Sequence, residues 1–97
     1  MAPKKPTFAT ALRTARDARG LSQEALGELS SRTYVSTLER GLKSPTLHKV
    51  EQLAAMMDMH PLTLLVMTYA TTLSEADVDR ALAEVKRELQ IIRTTVG

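Results

Sequence analysis

The sequence predicts an all-α fold, and three observations carry that reading. Apolar residues recur at steps of three and four from Phe8 to Val96, with no alternating strand pattern anywhere. The stretches so marked are separated by glycine stops and serine caps, at Gly20, Ser22, Ser31, Gly41 and Ser74. The 97 residues contain no cysteine, so the core is held by packing alone, without disulfides or thiolate metal sites.

The elements follow in order. Residues 1–6 hold two prolines and two lysines without periodicity and read as a flexible basic arm. Phe8, Ala11, Leu12 and Ala15 mark a first helix over roughly 7–19, ended by Gly20. Ser22 caps a short second helix from Gln23 to Leu29, with Ala25, Leu26 and Leu29 inward. Ser31 caps a third, Arg32 to Arg40, which turns Val35 and Leu38 inward and stops at Gly41. After a loop over 42–45, Leu47, Val50, Leu53, Ala54 and Met57 mark a fourth helix. His60-Pro61 opens a fifth, since proline suits the first helical position, and Leu62, Leu65, Val66 and Tyr69 define its stripe. Ser74 followed by Asp77 resembles a capping box and opens a last helix to about Thr94.

That last helix carries Val78, Leu82, Val85, Leu89 and Ile92 in alternating steps of four and three, the a/d seam of a coiled coil, with Val96 in register. Such a seam pairs with a second copy or folds back on the fifth helix. Residues 73–97 therefore form a separate amphipathic element beside a body over 7–72.

Charge divides the chain. Residues 1–50 hold nine Lys and Arg against four Asp and Glu, and residues 51–97 hold four against seven. A basic half favours a polyanion and an acidic half is repelled by one, so the halves suit different partners. Phe8, Tyr34 and Tyr69 are the only aromatics, too few to stack single-stranded bases. No apolar run approaches the roughly 20 residues of a membrane span, and Met1 to Lys5 leads into no apolar signal segment; a soluble, cytoplasmic protein is expected.

Two short helices joined by a tight turn, the second polar outward and preceded by basic residues, suit the major groove. The stretch Ala11 to Leu65 resembles the phage-repressor-like helix-turn-helix of bacterial and phage transcription regulators. The phrases LRTARDARGLSQEAL, SRTYVSTLERG, SPTL and HPLTLL carry the resemblance. It implies a five-helix DNA-binding domain, to which residues 73–97 add a dimerisation helix through Val78, Leu82, Val85, Leu89 and Ile92. It also implies a structural ion pair between Arg16 and Glu39 and base contacts from Arg32, Thr33 and Thr37. Arg32 suits a guanine edge and the threonines a base edge or thymine methyl, although each can also serve a phosphate. Gln23, at the start of the second helix, implies a phosphate contact; Tyr34, Ser36, Arg40 and Lys43 imply further backbone contacts.

The sequence departs from the family in LGELSSRTYV, about two residues shorter than usual and without the family's turn glycine, with Leu29 expected to fill the space of the missing hydrophobe. The resemblance implies a homodimeric regulator, a repressor, reading an inverted repeat with half-sites roughly 34 Å apart. An antitoxin facing a basic toxin, a restriction-modification controller and a protein-interaction module that barely binds DNA are the alternatives.

No catalytic arrangement stands out, and neither an enzyme activity nor a cofactor is expected. His48 and His60 lie twelve residues apart without cysteine or a paired carboxylate, so no metal site is expected; they read as helix-surface and N-cap residues. Met56, Met57, Met59 and Met67 read as gap-fillers in a core or a dimer interface.

Overall fold

The computed structural model describes residues 7–27 and 32–96, and all the regular structure among them is helical. The helices are α1 (Phe8–Ala18), α2 (Gln23–Gly27), α3 (Arg32–Glu39), α4 (Leu47–Met56), α5 (Pro61–Tyr69) and α6 (Glu75–Val96). The expected arm over 1–6, the cap at Ser31 and the filling role of Leu29 lie outside the described residues.

Local chemistry sets these boundaries. Thr7, Ser22, Thr46 and Ser74 each accept a backbone N–H three residues on, and His60 accepts the Leu62 N–H on Nδ1 at 3.0 Å, ahead of Pro61. At Ser74 the second bond of a capping box, from the Ser74 N–H to the Asp77 carboxylate, is replaced by a relay. The Thr72 hydroxyl accepts the Ser74 N–H at 3.1 Å and donates to Asp77 at 2.6 Å. Aspartate is one methylene shorter than the glutamate of a full capping box, and Thr72 bridges the gap.

Helix α3 stops in a six-residue turn in which the Leu42 N–H reaches the Thr37 carbonyl (3.1 Å) and the Gly41 N–H that of Leu38 (3.0 Å). Gly41 has φ of 72°, the left-handed conformation this turn requires. Helix α4 ends the same way on a non-glycine residue, Asp58, with φ of 54°. Arg19 crosses from the end of α1 to donate to the freed carbonyls of Met57 (2.9 Å) and Asp58 (3.2 Å), satisfying a terminus that would otherwise need water.

The core draws on the first five helices: Ala11, Leu12 and Ala15 of α1, Leu26 of α2, Val35 and Leu38 of α3, Val50, Leu53 and Ala54 of α4, and Leu64 of α5. Met57 is fully buried in this core, and Met56, Met59 and Met67, partly buried, pack against the core, where an unbranched side chain fits irregular gaps. Helix α1 packs on α3 and α5, and α5 also meets α4 and α6.

Two expectations about inward faces are corrected. Leu47, the first residue of α4, is 71% exposed, so the stripe that enters the core begins at Val50. In α5 the fully buried residue is Leu64, while Leu62 and Tyr69 are exposed. The segment PLTLLVMTY is apolar nearly all round, so spacing alone offers two stripes; the core takes one and the other faces α6. Helix α6 itself has no fully buried residue.

Candidate nucleic-acid interface

Helix α3 is fixed from behind by a buried carboxylate. Glu39 is 3% exposed, and Arg16 grips it with two parallel hydrogen bonds, Nε to Oε2 at 2.7 Å and Nη2 to Oε1 at 3.0 Å. The same guanidinium donates through Nη1 to the Leu21 carbonyl at 2.8 Å, so one side chain ties α1, the turn before α2 and the end of α3 together. Gln23 adds a third bond to the carboxylate, Nε2 to Oε1 at 3.0 Å. Arg13 adds its charge at 3.7 Å and donates to the Glu39 carbonyl at 3.2 Å.

Burial alone would raise the Glu39 pKa. The hydrogen bonds from Arg16 and Gln23, with the charges of Arg16 and Arg13, reverse that and hold the carboxyl below its ordinary range. The hydrogen bond to Glu39 outweighs desolvation at Arg16 and raises its pKa, so both groups are ionised at neutral pH.

With Val35, Leu38 and Glu39 turned inward, the positions 32, 33, 36, 37 and 40 share the outer face of α3, as a 3.6-residue repeat dictates. Arg32, Thr33 and Arg40 are exposed, and Ser36 and Thr37 are half-buried. The Thr37 hydroxyl donates to the Thr33 carbonyl at 2.7 Å, which commits its one proton and leaves its oxygen only as an acceptor. Lys43 is exposed in the loop after α3. Tyr34 is half-buried, with the Lys49 ammonium 5.3 Å from its ring centre, a cation–π contact that joins α3 to α4.

Three features of this face are absent from the sequence reading. The first concerns Arg32, whose Nη2 lies 3.2 Å from Glu24 of α2, with both side chains about two-thirds exposed. A pair so exposed is worth roughly 0–1 kcal/mol, so the guanidinium is held but easily released. The second concerns Gln23, whose amide is already bound to Glu39. Its second N–H remains for a phosphate, while its carbonyl oxygen, an acceptor, is of no use there.

The third concerns the short link. A Cβ built on Gly27 would lie 2.6 Å from Arg32 Cα and 2.9 Å from Arg32 Cβ, so the α2 and α3 backbones meet where only glycine fits. Glycine in a helix interior usually signals weakness, so the spacing gave no hint of this contact.

Among the described residues no helix is long and apolar enough to cross a membrane.

Residues 7–64 match a family model described as a helix-turn-helix domain. Among solved structures, the chain resembles the restriction-modification controller protein C.AhdI from Aeromonas hydrophila, with a TM-score of 0.55 and 42% identity. The match covers 59% of this chain and 89% of that one. No curated protein matches. Proteins of this kind are typically non-enzymatic. With the family match spanning more than half of the sequence and the locked α3 at its centre, the chain belongs to the helix-turn-helix family of DNA-binding transcription regulators.

Proposed function

We propose that the protein is a cytoplasmic, homodimeric repressor that reads an inverted repeat by laying α3 in the major groove of each half-site. Arg32, Thr33 and Thr37 meet base edges, while Gln23, Tyr34, Ser36, Arg40 and Lys43 hold phosphates. The observation that carries this reading is the outer face of α3, which offers Arg32 and Thr33 to solvent on a helix anchored from behind by Glu39. A rigid support matters because base readout depends on side chains held to a fraction of an ångström.

Pairing doubles the few base contacts one small domain can make, and the seam from Val78 to Ile92 is the surface proposed for it. Leu82, Val85, Leu89 and Ile92 are each 40% exposed or more in the single chain, a support for this reading over complete burial against α5.

A second reading is favoured by one specific observation, the 42% identity over 89% of C.AhdI. On it, the protein controls the expression of a restriction-modification system. The two readings share the DNA-binding step and differ in the genes served.

The test is equilibrium binding at physiological salt to the region upstream of its own gene and to a scrambled duplex of equal composition. A preference for the native region of about 10³-fold or more is expected. Equal affinity for both would reject the reading and leave an interaction module in its place.

A further inference from the structure

Helix α6 divides into two halves of opposite character. Residues 75–85 hold four acidic side chains and one basic one, and residues 86–96 hold three basic and one acidic. The seam divides at the same place. Val78, Leu82 and Val85 lie along an open apolar groove whose other wall is α5, with Leu62, Leu65, Val66 and Tyr69, and whose rim carries Glu84 and Glu88. Leu89, Ile92 and Val96 line no part of that groove and are exposed. At 1.5 Å per residue the seam in the groove and the seam beyond it are each about 10 Å long.

We propose that the occupant of the groove is the second half of α6 from another copy of this chain, so that two α6 helices cross antiparallel about a two-fold axis near residue 87. This deepens the homodimer reading above and rests on it. In this register Val85 meets Leu89 of the other copy, Leu82 meets Ile92, and Val78 meets Val96. Every seam residue therefore has an apolar partner, and each projecting segment fills a groove of matching length.

Charge selects the same direction. An antiparallel crossing sets the acidic half of each helix against the basic half of the other, and in the flanking positions places Asp79 opposite Arg93. A parallel pairing would set acidic half against acidic half, with the Glu88–Arg93 contact, made twice across the two-fold, to offset it. The antiparallel crossing brings Lys86 and Glu88 near their own symmetry mates, but on opposite flanks of an exposed helix, where salt screens them.

The absence of cysteine makes the direction measurable. Full-length Leu82→Cys and Ile92→Cys variants are mixed, oxidised gently and resolved by mass, with light scattering of the unmodified protein alongside. The antiparallel crossing predicts a mixed 82-to-92 disulfide with little of either self-paired product. Self-paired 92-to-92 disulfides in place of the mixed one would overturn the direction and leave the homodimer standing. A dimer that forms none of these disulfides would overturn the role of α6, and a monomer at 100 times the DNA-binding concentration, a ratio of about 10², would overturn the homodimer as well.

A charge exchange gives a second readout that does not depend on thiols. Asp79→Lys should weaken the dimer about threefold to tenfold, and adding Arg93→Glu should restore it. A double variant weaker than either single one would contradict the antiparallel pairing.

Discussion

Arg16 and Glu39, twenty-three residues apart in sequence, form a two-bond pair at 2.7 and 3.0 Å that fastens the end of α3 to α1. The Glu39 side chain has no exposure and the Arg16 side chain 12%. Removing one member of so buried a pair leaves the other uncompensated. Glu39→Gln should therefore cost about 3 kcal/mol of stability, with urea unfolding as the measurement. A loss below 1 kcal/mol would show that the pair is not the anchor described.

The same residue predicts a pH dependence. The folded Glu39 carboxyl is held below its ordinary value of 4.5, so folding binds fewer protons than the unfolded chain does. Its contribution is complete above that ordinary value and is lost as pH falls through it towards the lower folded value. Stability of the native protein should fall through this window, and Glu39→Gln should show a shallower fall from its lower starting point. Parallel acid limbs for the two proteins would refute the assignment.

Gly27 tests the close approach of α2 and α3. Alanine favours a helix by about 1 kcal/mol over glycine, yet its Cβ would meet Arg32 backbone at 2.6 Å. Gly27→Ala should thus destabilise by about 1–3 kcal/mol, lowering the melting temperature by roughly 4–8 °C for each kcal/mol. A rise in melting temperature would mean that the two helices are free to move apart.

Much of this fold is legible in the sequence because its punctuation is local. Ser22, Pro61, Gly20 and Gly41 act within one turn of helix, and the structure uses them where the spacing puts them. What the sequence hides is relational. Spacing alone does not say that Gln23 reaches back to Glu39 sixteen residues on, or that Glu24 holds Arg32, since each is a contact between helices. Helix α5 fails for a different reason: with apolar residues on most of its circumference, periodicity cannot choose between Leu64 and the Leu62–Tyr69 stripe, and only the presence of α1, α4 and α6 decides.

Lys43 and Glu24 separate charge from readout. Lys43→Ala should weaken binding to every duplex alike and lower the slope of log affinity against log salt by about one. Glu24→Ala frees Arg32 from an exposed pair and should tighten binding by a few-fold at most, measured by fluorescence anisotropy. Weaker binding by Glu24→Ala would show that the pair orients Arg32 for DNA instead of competing with it.

Sequence readout by the outer face of α3 is decided by binding the native protein and Arg32→Ala to a set of duplexes in which each base pair of one half-site is changed in turn. The native protein should lose about 1–3 kcal/mol at one G·C pair, and Arg32→Ala should bind the original site more weakly by a similar amount but no longer discriminate at that pair. If Arg32→Ala weakened binding to all duplexes equally and kept the full base preference of the native protein, Arg32 would be a phosphate contact and the proposed readout would be contradicted.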